Sequence, residues 1–186
     1  MKRRIFIGID LPAELKAETA NAITQWRFLP IRWTPPENWH VTLVPPCYLE
    51  DQELSALVKL LERRKIGEPF PVAFSRVLLA PPGAPARMIW LEGATPPELP
   101  KLKNRLEKLW ASQPSLPSLK PESRLPHLHV TLARFEPGHL RELEAKTRVL
   151  GEVNFSFTAS EIAVMESRLK PSGAEYETLA TIPLSS

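Results

Sequence analysis

Two kinds of apolar run alternate along the chain. Residues 4–9, Arg-Ile-Phe-Ile-Gly-Ile, are β-branched and aromatic and predict a buried strand. Pro12 stands at a helix start, and Leu15, Thr19, Ala22, Ile23 and Trp26 follow at helical spacing. A loop holding Pro30, Pro35 and Pro36 leads to a strand over 39–44. Residues 51–64 predict the clearest helix, with Leu54, Leu57, Val58 and Leu61 on one face and Asp51 in the first turn. Strands near 71–79 and 87–92 flank the turn Pro81-Pro82-Gly83. The second half repeats this grammar. Pro96 and Pro97 open a helix striped by Leu99, Leu102, Leu106 and Leu109. A proline-punctuated loop over 111–126, a strand over 127–134 and a helix near 139–149 come next. Strands near 153–157, 160–167 and 175–182 close the chain, with Ser172-Gly173 as a turn. The pattern predicts eight strands and four helices, an α+β chain with antiparallel sheet whose helices cover one face.

One tetrapeptide occurs twice. His40-Val41-Thr42-Leu43 returns as His129-Val130-Thr131-Leu132, 89 residues later and close to half of the 186-residue length. The repeat predicts one domain of two related lobes, loosely 1–92 and 93–186, with crossover of the chain between sheets open. On a strand every second side chain shares a face. Each motif therefore presents an imidazole beside a hydroxyl and anchors Val41 and Leu43, or Val130 and Leu132, in the core. Two such strands facing one cleft suit a phosphate. Hydroxyls donate to its oxygens, and a neutral and a protonated histidine can take and give a proton near neutrality.

Composition narrows the field. The single cysteine, Cys47, excludes an intramolecular disulfide framework and any Cys-cluster metal site. No apolar run approaches the roughly 18 residues of a membrane span. The basic start Lys2-Arg3-Arg4 is followed by an apolar stretch that stops at Asp10, too short for a signal peptide, so a cytoplasmic location is expected. A net charge of +3 and a pI near 9.1 lean towards an anionic partner. No heptad pattern predicts assembly, and a monomer is expected.

His127 opens a second reading. It lies two residues before His129, and a metal-dependent phosphoesterase would use His127 and His129 with His40 or Cys47 as third ligand. No carboxylate accompanies them at familiar spacing, so no metal and no cofactor are expected, and His127 reads as a pocket neighbour. His139, after Gly138, reads as solvent-facing.

The paired His-x-Thr-Leu motifs resemble those of the 2H phosphoesterase superfamily. The sequence is most similar to the bacterial and archaeal RNA 2′,3′-cyclic phosphodiesterases, also called 2′-5′ RNA ligases. The resemblance runs over Arg4–Pro12, Arg32–Leu43, Arg87–Leu91, Pro126–Arg134, Glu166–Leu169 and Gly173–Tyr176. It implies a bilobal, pseudo-two-fold α+β fold in which two antiparallel sheets face a central cleft, with helices on the outer faces. It also implies hydrolysis of a terminal RNA 2′,3′-cyclic phosphate to a 2′-phosphomonoester. By motif position His40 would be the proton donor to the departing 3′ oxygen, His129 the base that activates water, and Thr42 and Thr131 the phosphate ligands. Ligation of RNA ends, tRNA halves among them, would run the reaction in reverse with a ribose 5′-hydroxyl in place of water. A binding module that holds such ends without turnover is the other alternative. The family continues its first motif with an aromatic residue, where this chain has Val44-Pro45-Pro46-Cys47. Trp39, Tyr48 and Phe135 are the candidate replacements for base stacking. Arg134, His127 and Phe135 are candidate RNA contacts, although strict alternation would turn Arg134 away from His129. Arg87, Arg168 and Lys170 could steer RNA towards the cleft.

Overall fold

The computed structural model describes residues 2–120, 126–171 and 173–185. Nine strands and four α-helices are present among them. The strands are β1 (Arg3–Asp10), β2 (Arg32–Trp33), β3 (His40–Leu49), β4 (Phe70–Ala80), β5 (Met88–Glu92), β6 (His129–Arg134), β7 (Val149–Ala159), β8 (Glu161–Lys170) and β9 (Gly173–Pro183). The helices are α1 (Ala13–Ala22), α2 (Asp51–Glu62), α3 (Glu98–Ala111) and α4 (Arg141–Lys146). None is long and apolar enough to cross a membrane.

Two antiparallel sheets face a central cleft. The first has the order β3-β1-β8-β9 and the second β2-β6-β5-β4-β7. Each sheet takes strands from both halves of the chain. β4, from the first half, pairs with β7 of the second as well as with β5, and β8 returns from the second half to pair with β1.

The alternation within the strands divides the molecule. Ile5, Ile7, Ile9, Val41 and Leu43 from one sheet join Ile89, Leu91, Val130 and Leu132 from the other in a single core. Leu54, Leu57 and Leu61 of α2 and Leu99, Leu102 and Leu106 of α3 seal it from outside. Burying each such side chain contributes about 1.5–3 kcal/mol before entropy is counted. Helix α2 is held at its start by a capping box between Glu50 and Glu53. The opposite face of each sheet carries only a small apolar patch. Phe6, Ala163 and Met165 form one, and Leu78, Ala80 and Trp90 the other.

Several predicted boundaries move. The first helix ends at Ala22, and Trp26 falls in a separate 3-10 turn, because the chain must bend towards β2. Strand β3 runs on to Leu49 through Pro45 and Pro46, which this edge strand accommodates in an irregularity of the ladder: both prolines fall between the pairs Ile7–Val44 and Ile5–Cys47. Strand β6 begins at His129, two residues later than predicted, and β7 begins at Val149, which shortens α4 to six residues. The predicted turn at Ser172 and part of the predicted loop over 111–126 lie outside the described residues.

Candidate active site

The two repeated motifs occupy matching places. In the first sheet Asp10 pairs with His40 and Gly8 with Thr42. In the second Glu92 pairs with His129 and Trp90 with Thr131. Each motif strand then carries a bulge. Leu43 is the extra residue between the pairs Gly8–Thr42 and Ile7–Val44. Leu132 is the extra residue between Trp90–Thr131 and Ile89–Ala133. The carbonyls of both extra residues have donors from outside the bulged pair. Lys103 Nζ donates to Leu43 O at 3.1 Å, and Thr34 N–H donates to Leu132 O at 2.8 Å.

The second bulge corrects the alternation argument for Arg134. With Leu132 and Ala133 both turned inward, the next residue returns to the face of His129 and Thr131. Arg134 lines the cleft after all.

That cleft is a cavity of about 180 Å³. His40 and Thr42 line one side and His129, Thr131 and Arg134 the other. Arg4, Phe6, Asn38, Pro46 and Tyr176 complete the first sheet's side, and Thr34 the second's.

Both imidazoles are held in the same way. His40 Nδ1 is 2.7 Å from the carbonyl of Asn38, and His129 Nδ1 is 2.9 Å from the carbonyl of His127. A carbonyl can only accept, so each Nδ1 carries the proton and each Nε2 is the working atom. His40 Nε2 lies 3.1 Å from Thr42 Oγ1. The carbonyls are themselves tethered. Asn38 is buried, donates from its amide to Ala174 O at 2.7 Å and accepts from Tyr176 N–H at 3.3 Å. His127 Nε2 bonds Glu92 Oε1, and the second oxygen of Glu92 accepts from Arg76 Nε. Aromatic surfaces fix the ring planes. Trp90 stacks on His129 at 4.0 Å, and Phe6 lies 4.8 Å from His40.

Burial pushes both histidines below their ordinary value, because desolvation penalises the imidazolium. The Asn38 carbonyl and Asp10 partly offset this for His40. The His127 carbonyl and Glu92 do the same for His129, while the His129 ring and Arg134 further lower His40, and the His127 ring and Arg134 further lower His129. Two buried imidazoles, with hydroxyls and a guanidinium around one cavity, can bind a phosphate and move protons on opposite sides of it.

Other predicted residues fall elsewhere. His127 sits outside the cavity lining, tied to Glu92. Trp39 is fully buried and its indole N–H donates to Thr34 O, so it is core and cannot stack a base. Phe135 packs against the core cluster. Tyr48 is exposed. His139 is exposed, with Nε2 3.0 Å from Pro30 O. Among the described residues no group of three or more His, Cys, Asp or Glu side chains could hold a metal ion. Sequence reasoning misses Asn38 and Tyr176. Asn38 stands two before His40 as His127 stands two before His129, and that spacing is the available signal.

Residues 9–90 match the family model of the LigT-like phosphoesterases. A curated relative, the RNA 2′,3′-cyclic phosphodiesterase of Methanocaldococcus jannaschii, is 24% identical over 95% of this chain and 98% of its own length. Among solved structures, E. coli LigT complexed with 3′-AMP superposes with a TM-score of 0.80 at 22% identity, covering both chains completely. A Thermus thermophilus protein superposes with a TM-score of 0.72 at 24% identity over 97% of each chain. At these identities the superpositions establish the shared fold.

Proposed function

We propose that the chain is a LigT-like phosphoesterase of the 2H superfamily, similar as it is to that family model over residues 9–90 and to a curated RNA 2′,3′-cyclic phosphodiesterase along nearly its whole length, and that it hydrolyses a terminal RNA 2′,3′-cyclic phosphate to a 2′-phosphomonoester. One observation carries this reading: two His-x-Thr pairs border one cavity, each imidazole with Nδ1 pinned to a backbone carbonyl.

The phosphoryl group sits between the strands, with Thr42 and Thr131 donating to its non-bridging oxygens. Arg134 offsets its negative charge. His129, neutral, accepts a proton from water at Nε2 as the water oxygen bonds to phosphorus. His40, protonated, gives the proton on Nε2 to the 3′ oxygen as the P–O3′ bond breaks. Each turnover leaves the two protonation states exchanged, and solvent restores them. With a ribose 5′-hydroxyl in place of water the same atoms would form a 2′-5′ linkage from cyclic phosphate, and the reverse step would break it. Neither histidine forms a bond to phosphorus, so no covalent intermediate is required.

The test is a short RNA ending in a 2′,3′-cyclic phosphate. The wild type should yield the 2′-monoester. His40→Ala and His129→Ala should each lower kcat by about two to four powers of ten, the usual reach of general acid–base catalysis. Wild-type rates in either variant, with the fold intact by circular dichroism, would refute the mechanism. A 3′-monoester product would reverse the assignment of the leaving oxygen. Saturable binding without product would make the chain a holder of RNA ends.

A further inference from the structure

Beyond the cavity, the cleft face of the first sheet carries a row of side chains that the hydrolytic step does not use. Tyr48 on β3 pairs in register with Arg4 on β1. Arg4 Nη1 donates to Ser167 Oγ on β8 at 2.6 Å. Ser167 pairs in register with Tyr176 on β9. The row therefore crosses all four strands of the sheet, and both tyrosines of the chain stand in it. Directly paired residues share a face. That face is the cleft side, because Leu49 and Ile5, the neighbours of Tyr48 and Arg4, are in the core, while Arg4 and Tyr176 line the cavity.

The row is open at one end and anchored at the other. Tyr176 meets His40 edge-on at 5.2 Å and Phe6 at 4.8 Å. Tyr48 is 58% exposed and is one of few large apolar side chains left in solvent. Three strand spacings of about 4.8 Å separate the tyrosines, roughly 14 Å. The charges favour an anion here. Among the described residues no carboxylate pairs with Arg4, and the acids that alternate with the row are taken. Glu166 is ion-paired with Arg3 and Arg168, Glu177 with Arg168 and Glu175 with Lys170.

We propose that the Tyr176–Arg4–Tyr48 row is a track for single-stranded RNA, along which the nucleotides preceding the cyclic phosphate lie. Bases stack on the two tyrosine rings, and the Arg4 guanidinium takes a backbone phosphate between them. An antiparallel sheet with exposed aromatics on one face binds unpaired bases in this way, and stacking of this kind tolerates any base because every base has a π-face. A lone exposed tyrosine would be ordinary surface. Its alignment with an arginine and a second tyrosine at the cavity makes it a site. The track rests on the hydrolytic reading above and extends it from a terminal nucleotide to a chain.

Substrate length tests it. Wild-type kcat/KM should rise from a nucleoside 2′,3′-cyclic phosphate to oligoribonucleotides of about four to eight nucleotides with the same end. In Tyr48→Ala the ratio of oligomer to monomer should fall about tenfold, from the loss of one stacking contact, and Tyr48→Phe should restore it. An oligomer-to-monomer ratio equal to the wild type's in Tyr48→Ala overturns the track. If the wild type turns over neither substrate, the hydrolytic reading has failed and the track is judged by binding instead. An oligoribonucleotide ending in a 2′-phosphate should then bind more tightly than the corresponding mononucleotide. That advantage should shrink in Tyr48→Ala, and its persistence there would remove the proposal.

Discussion

Gly8→Ala tests how tightly the first motif is held. Gly8 pairs with Thr42 beside the His40 ring, where the second sheet has Trp90 paired with Thr131. A Cβ on Gly8 would stand 2.8 Å from Val41 O, 3.0 Å from Met165 Cε and 3.2 Å from His40 Cδ2. The methionine can swing aside. The Val41 carbonyl belongs to the strand backbone and cannot. Ordinary carbon contacts start near 3.4 Å, so β3 must retreat by about 0.6 Å and carry His40 and Thr42 with it. Overpacking of this kind costs about 1–3 kcal/mol, and in a chain of this size each kcal/mol lowers Tm by about 2–4 °C. The chemical cost is separate. A misplacement of about 1 Å can cost about a hundredfold in rate, so a shift of this size should lower kcat about tenfold, equivalent to about 1.4 kcal/mol in the barrier. Thermal unfolding and steady-state turnover of a nucleoside 2′,3′-cyclic phosphate read the two effects. A wild-type Tm would show that β3 accommodates the methyl without strain. A lowered Tm with wild-type kcat would show that His40 is not positioned through its contact with β1. Either result refutes the reasoning.

How much of this arrangement could be read from the chain depends on the range of the forces involved. Helices α2 and α3 were legible because their leucines repeat at 3.6-residue spacing and pack as the stripe predicts. Helix α4 was overdrawn because it buries no residue of its own, and β7 takes the chain from Val149 onwards. The expectation that His40 and His129 share one site came from a repeated tetrapeptide, and both rings line one cavity. Alternation failed at Arg134 because a bulge is a decision made between two strands, and its signature is only two consecutive inward residues, Leu132 and Ala133. The roles of Asn38, Arg4 and Tyr176 depend on partners more than 130 residues away for Asn38 and 163 for Arg4, beyond any local pattern. The matched geometry also hides a difference that sequence spacing could not rank. Asp10 is exposed and pairs with Lys16, whereas its counterpart Glu92 is buried between Arg76 and His127. A buried carboxylate persists only when both oxygens are satisfied, so the second motif rests on a charged support where the first rests on the Asn38 amide.

The bulge and the histidines give two further predictions. Lys103→Met should leave the Leu43 carbonyl unpaired inside the protein at a cost of about 1–3 kcal/mol, lowering Tm by about 2–12 °C; an unchanged Tm would show that the bulge does not need its donor. The pH dependence of kcat/KM follows from the sign of the histidine shifts, since this quantity reports groups in the free enzyme. Activity needs His129 neutral and His40 protonated, and burial lowers both from 6.5. The base is therefore already available at pH 6.5, while the acid is being lost. The maximum of kcat/KM should lie below pH 6.5, and above it the value should fall about tenfold per pH unit as His40 gives up its proton. Binding an anionic phosphate favours both imidazolium forms, so the kcat profile should sit at higher pH than the kcat/KM profile. A kcat/KM that is flat or rising between pH 7 and 8.5, with chemistry limiting, would mean that the group losing its proton there is not a buried imidazole, and the assignment of His40 as the acid would fall with it.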